Sequence, residues 1–427
     1  MIRILKVGDV KNEEIFARTE PKIDVEGIVA DIIKDVRENG DSALLKYTEK
    51  FDRARLETLE VSASEMQEAL DRTDPKLLLV MEKAAGNIRK FHERQIRNSF
   101  IINDEAGIVI GQKVIPVDRA GLYVPGGTAP LSSTVLMDAI PAKIAGVQEL
   151  VMMTPPGPDG KVNAAVLAAA HVAGVDRIFK CGGAQAIAAL AYGTESVPKV
   201  DKIVGPGNAF VAEAKKQVYG KVSIDMIAGP SEIMVVADAG TDPAICAADL
   251  LSQAEHDRLA SAVLVTDSEE LARAVQAEIE KQLPKLLREE IARASIDDNG
   301  KIIVAKDLSQ AVDIANEIAP EHLELSVADP FKWLGKVRHA GSVFLGYNCP
   351  EALGDYLAGP NHTLPTSGTA KFSSPLSVDD FVKKTQYTYY TEEALKSVSK
   401  DIQCFAEAEG LTGHARSVMA RTEPGSL

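Results

Sequence analysis

The chain has 427 residues, of which 45% are hydrophobic and 26% charged, and its formal net charge is -15. This length allows two or more domains with a sizeable core, and the composition is that of an ordinary globular protein. The acidic balance argues against nucleic acid as the main partner, because phosphate binding needs clustered lysine and arginine.

Signals for membranes and secretion are missing from the sequence. No apolar run approaches the roughly 20 residues that a membrane helix needs, and residues 1–9 lack the apolar region of a secretory signal. The cysteines are widely spaced and form no C-x-x-C pair, which suits free thiols in a reducing compartment; they are Cys181, Cys246, Cys349 and Cys404. We therefore expect a cytoplasmic protein without a membrane partner.

The first quarter of the chain shows structural patterns but no chemistry. Residues 1–20 are predicted to form a short arm, and helical periodicity follows to about residue 105. His92 lies there in a charged run, where a solvated or packing role is expected. Residues 107–117 alternate like a hairpin, with Gly111-Gln112 as its predicted turn.

From residue 118 to 230 the sequence is low in charge and rich in Gly, Ala and Val. Strand-like runs alternate with Ala-rich helices, which predicts βαβ units and a parallel, doubly wound sheet. Glycine-rich turns at 123–127, 181–185 and 205–208 each follow a strand and precede a helix. Such turns let backbone N–H groups approach a pyrophosphate. None matches G-x-G-x-x-G, so each alone indicates a tight turn, whereas three together favour a nucleotide.

A second α/β region begins after residue 230, and its first helix carries a possible metal pair. Thr241 or Asp242 is the expected N-cap, with Pro243 at the first helical position. Gln253 and His256 lie three residues apart near the end of that helix and project from one side. They are either two metal ligands or part of a solvated last turn.

Three later stretches carry further candidates. Pro320 ends a helix and should set Glu321 and His322 in a loop, as two bases of different pKa or as a plain surface pair. Residues 350–365 form a long polar segment in which Asp355 is a possible hard ligand, while His362 binds substrate or orients a neighbour; the alternative is an ordered surface loop. Near the chain end, Glu409 and His414 are either functional or merely exposed.

Together these motifs resemble the histidinol dehydrogenase family. The resemblance runs from about residue 20 to the C-terminus in the family's order; it includes residues 121–127, 181–194, 204–208, 225–232, 319–324, 354–356, 359–366 and 409–411. It departs at Asn348-Cys349, where the family more often has a hydroxyl residue, and at Gly413, where Ala or another small residue is common.

The resemblance implies an α/β fold with two doubly wound, incomplete Rossmann-like parallel-sheet domains in a domain-swapped dimer. It implies an N-terminal arm (1–20), a discontinuous domain carrying zinc and catalytic residues (21–117 and 231–375), an NAD-binding domain (118–230) and a helical tail crossing to the partner subunit (376–427). The homodimer would share its active sites, with Glu409 and His414 serving the partner.

The family's activity is the NAD-linked, four-electron oxidation of L-histidinol through L-histidinal to L-histidine in histidine biosynthesis, with two NAD+ consumed. By resemblance, one zinc ion per subunit would be ligated by Gln253, His256, Asp355 and His414. Glu321 and His322 would accept protons, and Tyr123, Gln185 and Asn208 would hold NAD. The residues implied to contact histidinol are Ser231, Gln253, His256, His322, Asp355, Glu409 and His414.

The implied chemistry divides the two bases between the two oxidations. Zinc would hold the substrate through its imidazole and amino nitrogens, His322 would remove the hydroxyl proton, and Glu321 would activate the water that hydrates the aldehyde. A cysteine thiohemiacetal is the usual alternative, but no cysteine is flanked by an obvious base. A zinc hydrolase and a non-catalytic NAD- or metal-binding dimer remain rival hypotheses.

Overall fold

A computed structural model describes residues 1–18, 24–126, 131–423 and 425. The chain divides into two compact units, which are Met1–Gln95 with Val117–Phe381 and Ile96–Pro116 with Val382–Leu427. In the ranges just given, no helix is both long enough and apolar enough to cross a bilayer.

The helices and strands alternate through most of the chain. The strands are β1 (Arg3–Lys6), β2 (Phe100–Ile102), β3 (Ile108–Pro116), β4 (Arg119–Tyr123), β5 (Glu149–Thr154), β6 (Arg177–Lys180), β7 (Lys202–Val204), β8 (Ser223–Ile224), β9 (Glu232–Ala237), β10 (Ser261–Thr266), β11 (Lys301–Val304), β12 (His322–Ser326), β13 (Ser342–Leu345) and β14 (Val382–Tyr390). The α-helices are α1 (Asn12–Phe16), α2 (Glu26–Asp52), α3 (Ala63–Arg72), α4 (Pro75–His92), α5 (Ser132–Ala145), α6 (Ala164–Ala173), α7 (Gly183–Tyr192), α8 (Ala209–Val218), α9 (Pro243–Ala254), α10 (Glu269–Gln282), α11 (Glu289–Asp298), α12 (Leu308–Ile318), α13 (Pro330–Leu334), α14 (Glu351–Leu353), α15 (Glu392–Ala408) and α16 (Thr412–Thr422).

The first unit contains a five-stranded parallel sheet in the order β6-β5-β4-β7-β8. Helices cover both faces, so its strands are apolar on both sides. Along β5, Leu150 and Met152 pack with α4, α5 and α6, whereas Val151 and Met153 pack with α2, α7 and α8. The helices predicted before residue 105 therefore support this sheet.

The same unit contains a six-stranded parallel sheet in the order β1-β11-β10-β9-β12-β13. Strand β12 lies between β9 and β13, and its Leu323 and Leu325 are buried in an apolar cluster with α12. Residues predicted as an arm contribute β1 to the sheet edge. The predicted α/β class with two parallel sheets is thus confirmed, whereas the predicted domain edges stay predictions and the one at residues 20–21 lies outside the described residues.

The second unit has an antiparallel sheet in the order β14-β3-β2, followed along the chain by α15 and α16. The predicted turn at Gly111-Gln112 is wrong, because β3 runs straight through both residues and pairs with β14 and β2. A Cβ on Gly111 would lie 2.4 Å from the Tyr387 hydroxyl and 2.5 Å from the Phe100 carbonyl oxygen. This glycine therefore allows a close approach inside a strand.

Candidate functional site

Glu321 and His322 lie where strand β12 begins. His322 pairs with Ile233 on one side and Ser342 on the other, and both side chains are buried. The prediction of a loop after Pro320 is therefore wrong for His322, because pairing with two parallel neighbours holds its backbone in the sheet. These two groups consequently sit on a rigid element.

Helix α9 brings Gln253 to the same place. Asp242 is the N-cap, accepting a hydrogen bond from the Ala244 N–H at 2.8 Å, and Pro243 follows as expected. Gln253 is buried in the last turn, and the helix ends at Ala254. His256 lies beyond it in a turn, where its N–H donates to the Gln253 carbonyl oxygen at 3.0 Å. The two residues of the predicted metal pair, Gln253 and His256, therefore lie on either side of the helix end.

Gln253 and His322 are in contact and leave two buried polar atoms unsatisfied. Gln253 Nε2 lies 3.4 Å from His322 Nδ1, which is 3.0 Å from the carbonyl oxygen of Glu232. Among the described residues, Gln253 Oε1 and His322 Nε2 have no hydrogen-bond partner. Such atoms are rare in native proteins and indicate a missing ion, water or ligand.

Asp355 faces His322 from a π-helical turn, Gly354–Ala358. Its Oδ1 lies 3.6 Å from His322 Nε2, and π-turns of this kind are frequent at functional sites. His362 Nδ1 lies 3.1 Å from the Asp355 backbone carbonyl oxygen, while its Nε2 lies 3.3 Å from Thr134 Oγ1. These are the contacts of an orienting residue; substrate binding by His362 stays a prediction.

Burial and neighbouring charges raise the pKa values of Glu321 and His322 but lower that of Asp355. Burial raises the pKa of Glu321 to about 8. Burial disfavours charge on His322, but the carboxylates of Glu321 and Asp355 outweigh it and raise the pKa of His322 to about 10. Burial also disfavours charge on Asp355, yet the neighbouring imidazoles of His322 and His362 hold its pKa at about 2. The site therefore stabilises a positive charge beside Asp355.

A group suited to metal binding is formed by His322, Glu351 and Asp355, whose ligand atoms lie within 4.8 Å of one another. Only Asp355 belongs to the predicted ligand set, and sequence reasoning gave Glu351 no role. Its signal was its position four residues before Asp355, one helical turn away. The Glu351 carboxylate accepts a hydrogen bond from Ser252 Oγ at 2.8 Å.

The remaining predicted site residues lie in different surroundings. Ser231 directly precedes β9 and is half-buried. His256 keeps part of its surface exposed to solvent. Neighbouring atoms nevertheless remove water from its ring, which lowers the pKa of His256, while the charge of Asp355 opposes that shift. Glu409 is the C-cap residue directly after α15, and His414 lies in α16. Both belong to the second unit, and their side chains are exposed.

Tyr123, Gln185 and Asn208 line one cavity of about 940 Å³ at the carboxyl ends of the five-stranded sheet. The Tyr123 hydroxyl accepts a hydrogen bond from the Gly183 N–H at 3.0 Å, and Asn208 is the N-cap of α8. A Cβ on Gly205 would lie 2.2 Å from the Tyr123 carbonyl oxygen, so this turn needs glycine. Of the predicted turns, Gly127 lies outside the described residues.

The buried cysteines are poor nucleophiles. Burial raises the pKa of the Cys181 thiol to about 12 and that of the Cys246 thiol well above its usual value. Because the thiolate is the attacking form, both groups are inert at neutral pH. Cys349 is half-buried and Cys404 is exposed.

Comparison with known proteins gives a consistent result. Residues 17–422 match a family model described as histidinol dehydrogenase. Histidinol dehydrogenase of Clostridium acetobutylicum is 52% identical over 99% of each chain, and that of Syntrophotalea carbinolica is 57% identical over 95% of each. A crystal structure of histidinol dehydrogenase from Elizabethkingia anophelis superposes with a TM-score of 0.93, at 38% identity and 98% coverage of both chains.

Proposed function

The chain belongs to the histidinol dehydrogenase family, and we propose that it oxidises L-histidinol through L-histidinal to L-histidine. Two NAD+ molecules would be consumed for each histidinol, and one zinc ion would be bound per subunit. The observation that carries this proposal is the buried pair Glu321 and His322, which faces Asp355 beside an unsatisfied Gln253 oxygen.

The residues present fit a zinc ion. Gln253 Oε1 is a buried oxygen without a hydrogen-bond partner among the described residues, and Asp355 supplies an ionised carboxylate nearby. We propose Gln253, His256 and Asp355 as ligands, completed by His414 of the partner subunit. When bound, this borderline cation would act as a Lewis acid and orient the substrate.

The proposed ligand set leaves His322 available as a base. If its Nδ1–H donates to the Glu232 carbonyl oxygen, 3.0 Å away, the basic lone pair lies on Nε2. Nε2 has no hydrogen-bond partner in the described part of the chain. A cation held beside Asp355 would offset the charge that now favours protonated His322. His322 would then accept the histidinol hydroxyl proton in the first oxidation.

Glu321 is suited to the second oxidation. Its Oε2 accepts a hydrogen bond from the Glu232 N–H at 2.8 Å, which fixes the carboxylate. Burial raises the pKa of Glu321 to about 8, so it is a stronger base than an exposed glutamate. It would take a proton from the water that adds to the aldehyde. The first oxidation thus removes one proton and one hydride. The second removes one hydride and two protons from the hydrated aldehyde, and its product is a carboxylate.

The cavity around Tyr123, Gln185 and Asn208 is proposed to hold NAD. It has the size of a ligand pocket and lies outside the carboxyl ends of parallel strands, where such folds bind nucleotides. NAD would supply the hydride acceptor. Buried Gln185 would fix the orientation of NAD, whereas Asn208 and Tyr123 hold the two turns that shape the cavity.

The second unit supports the proposal of a homodimer with shared active sites. It exposes several large apolar side chains that water would otherwise surround; these include Phe100, Ile101, Tyr389 and Phe405. Such patches mark protein interfaces. We propose that a second copy covers them and receives Glu409 and His414 in its active site.

A zinc hydrolase or a non-catalytic NAD- or metal-binding dimer would predict a different assay result. Purified protein supplied with histidinol and NAD+ is expected to form NADH and histidine, to stop when a chelator removes the metal, and to resume with zinc. A hydrolase would form no NADH, and a binding protein would tolerate Glu321→Gln and His322→Asn. Absence of both products from zinc-loaded protein would overturn the proposed function.

A further inference from the structure

Glu324 is a buried acid in the middle of strand β12. It is 4% exposed, and β12 is flanked by β9 and β13. Leu323 and Leu325 point into an apolar cluster, so His322 and Glu324 share the opposite face, because side chains alternate along a strand. A carboxyl group at such a position is costly unless hydrogen bonds satisfy it.

Two partners satisfy the Glu324 carboxyl group. Its Oε1 accepts a hydrogen bond from the Glu351 N–H at 2.7 Å, and the carboxyl group of Asp249 lies close enough to share a carboxyl–carboxyl hydrogen bond with it. Such a bond requires one proton between the two groups. Burial and the charge of Asp249 raise the pKa of Glu324 to about 9, whereas burial raises the pKa of Asp249 to about 6. Both shifts favour a proton on this pair at neutral pH.

These contacts join three elements that carry proposed site groups. Asp249 lies four residues before Gln253 on α9, and Glu324 lies two residues after His322 on β12. Glu351 begins the helical segment that carries Asp355, and Ser252 of α9 donates to its carboxylate. The Pro350 N-cap offers this segment no side-chain hydrogen bond, so Glu324 satisfies a backbone N–H that would otherwise lack a partner at that helix start.

We propose that Glu324 is a positioning residue, whose carboxyl group ties the segment carrying Asp355 to helix α9 and strand β12 and thereby sets the geometry of the zinc site. The zinc part of this inference rests on the proposed function. The hydrogen-bonded unit itself does not, because it is present in the metal-free chain.

Three variants of the full chain test this role. Glu324→Leu removes both hydrogen bonds at similar volume. Glu324→Gln keeps them, because its amide oxygen accepts from the Glu351 N–H and its amide N–H donates to Asp249. Thr241→Val is the matched control. It removes a buried hydrogen bond, of 2.6 Å, to the Ser326 carbonyl oxygen on the same strand without touching the 351–358 segment.

The first readout is amide hydrogen exchange of residues 351–358 in metal-free protein. Glu324→Leu should speed exchange there by about tenfold, whereas Glu324→Gln and Thr241→Val should match wild type. Equal exchange in wild type and Glu324→Leu would overturn the inference whether or not the enzyme is active. If Glu324→Leu does not fold, Glu324→Ala removes the same two hydrogen bonds and is held to the same comparison.

The second readout is zinc affinity, measured by competition with a chromogenic chelator. Glu324→Leu should bind zinc about tenfold more weakly than wild type and should have a lower kcat. Its KM for NAD+ should stay within about twofold of the wild-type value. Glu324→Gln should restore both values. Equal damage by Glu324→Gln, or equal weakening by Thr241→Val, would contradict positioning. Wild-type protein that forms no NADH yet shows the exchange pattern would overturn the proposed function and leave this inference standing.

Discussion

The two parallel sheets of the first unit present their candidate site residues at opposite ends of the strands. The five-stranded sheet presents glycine turns at the carboxyl ends of its strands, around the cavity lined by Tyr123, Gln185 and Asn208. The six-stranded sheet presents Glu321 and His322 at the amino end of β12, where the N–H of Glu232, the first residue of β9, donates to the Glu321 carboxylate. Ligands of open α/β sheets ordinarily bind at carboxyl ends. The group around Glu321 and His322 therefore departs from this general rule.

The two regions differ in the kind of group that they present. Around the cavity, glycines allow a close approach of the backbone. A Cβ at Gly205 would lie 2.2 Å from the Tyr123 carbonyl oxygen, and one at Gly126 would lie 2.4 Å from the Pro155 ring. At the amino end of β12 the side chains are ionisable and mutually shifted, as Glu321, His322 and Asp355 show. Perturbed and coupled pKa values are typical of catalytic groups, whereas close backbone approach is typical of phosphate binding.

The largest effect is expected at the amino end of β12. His322→Asn and Glu321→Gln should each lower kcat by about 10²- to 10⁴-fold, because each removes a proton acceptor. Zinc content, measured by mass spectrometry of the metal, should stay at one ion per subunit in both. A His322→Asn protein that loses its zinc would instead indicate that His322, Glu351 and Asp355 ligate the metal.

A smaller effect is expected at the cavity. Asn208→Ala should raise the KM for NAD+ by about tenfold and leave the KM for histidinol within about twofold, as measured by initial rates. Because Asn208 also caps α8, Ser268→Ala is the matched control. Ser268 caps α10 by accepting from the Leu271 N–H, and its loss should cost similar stability without changing the KM for NAD+. Equal KM changes in both variants would refute a binding role.

The smallest effect concerns Asp52, which lines the cavity and whose Oδ2 has no hydrogen-bond partner among the described residues. Burial raises the pKa of Asp52 from 3.8 to about 6. A carboxyl group with a raised pKa stabilises the fold below its unfolded value, and that contribution is lost as the pH rises through the folded value. Asp52→Asn should therefore gain stability relative to wild type between about pH 4 and pH 6.

The expected gain is about 1 kcal/mol, since Asp52 is partly exposed and solvent screens its charge. Urea unfolding of both proteins without NAD+ at pH 4 and pH 6.5 measures it. If the free energies of unfolding of wild type and Asp52→Asn differ by the same amount at both pH values, ionisation of Asp52 does not destabilise the fold.

Much of the five-stranded region could be predicted from sequence, because its signals are local. Strand, glycine turn and helix follow one another within a few residues, so Tyr123, Gln185 and Asn208 could be placed at strand ends before the fold was known. The turn expected at Gly111 failed for the opposite reason. Its partner strand β14 lies more than 250 residues later, and nothing near Gly111 signals Tyr387.

The site on β12 could not be assembled from local patterns. Gln253, His322 and Asp355 come from a helix end, a strand start and a π-helical turn. Local patterns left the role of each residue open, and only the family resemblance combined them in one site. The alternation of polar His322, Glu324 and Ser326 with Leu323 and Leu325 is the pattern of a two-faced strand, although a loop was predicted at His322. It could not indicate that Asp249 and Glu351 meet Glu324 on its polar face.

The most direct test of the proposed chemistry is a count of NADH formed per histidinol by zinc-loaded protein, with limiting histidinol and excess NAD+. Two NADH and one histidine for each histidinol are expected, with both lost on chelation and restored by zinc. One NADH per histidinol with accumulated histidinal would contradict the role assigned to Glu321 in the second oxidation. No NADH would contradict the account as a whole.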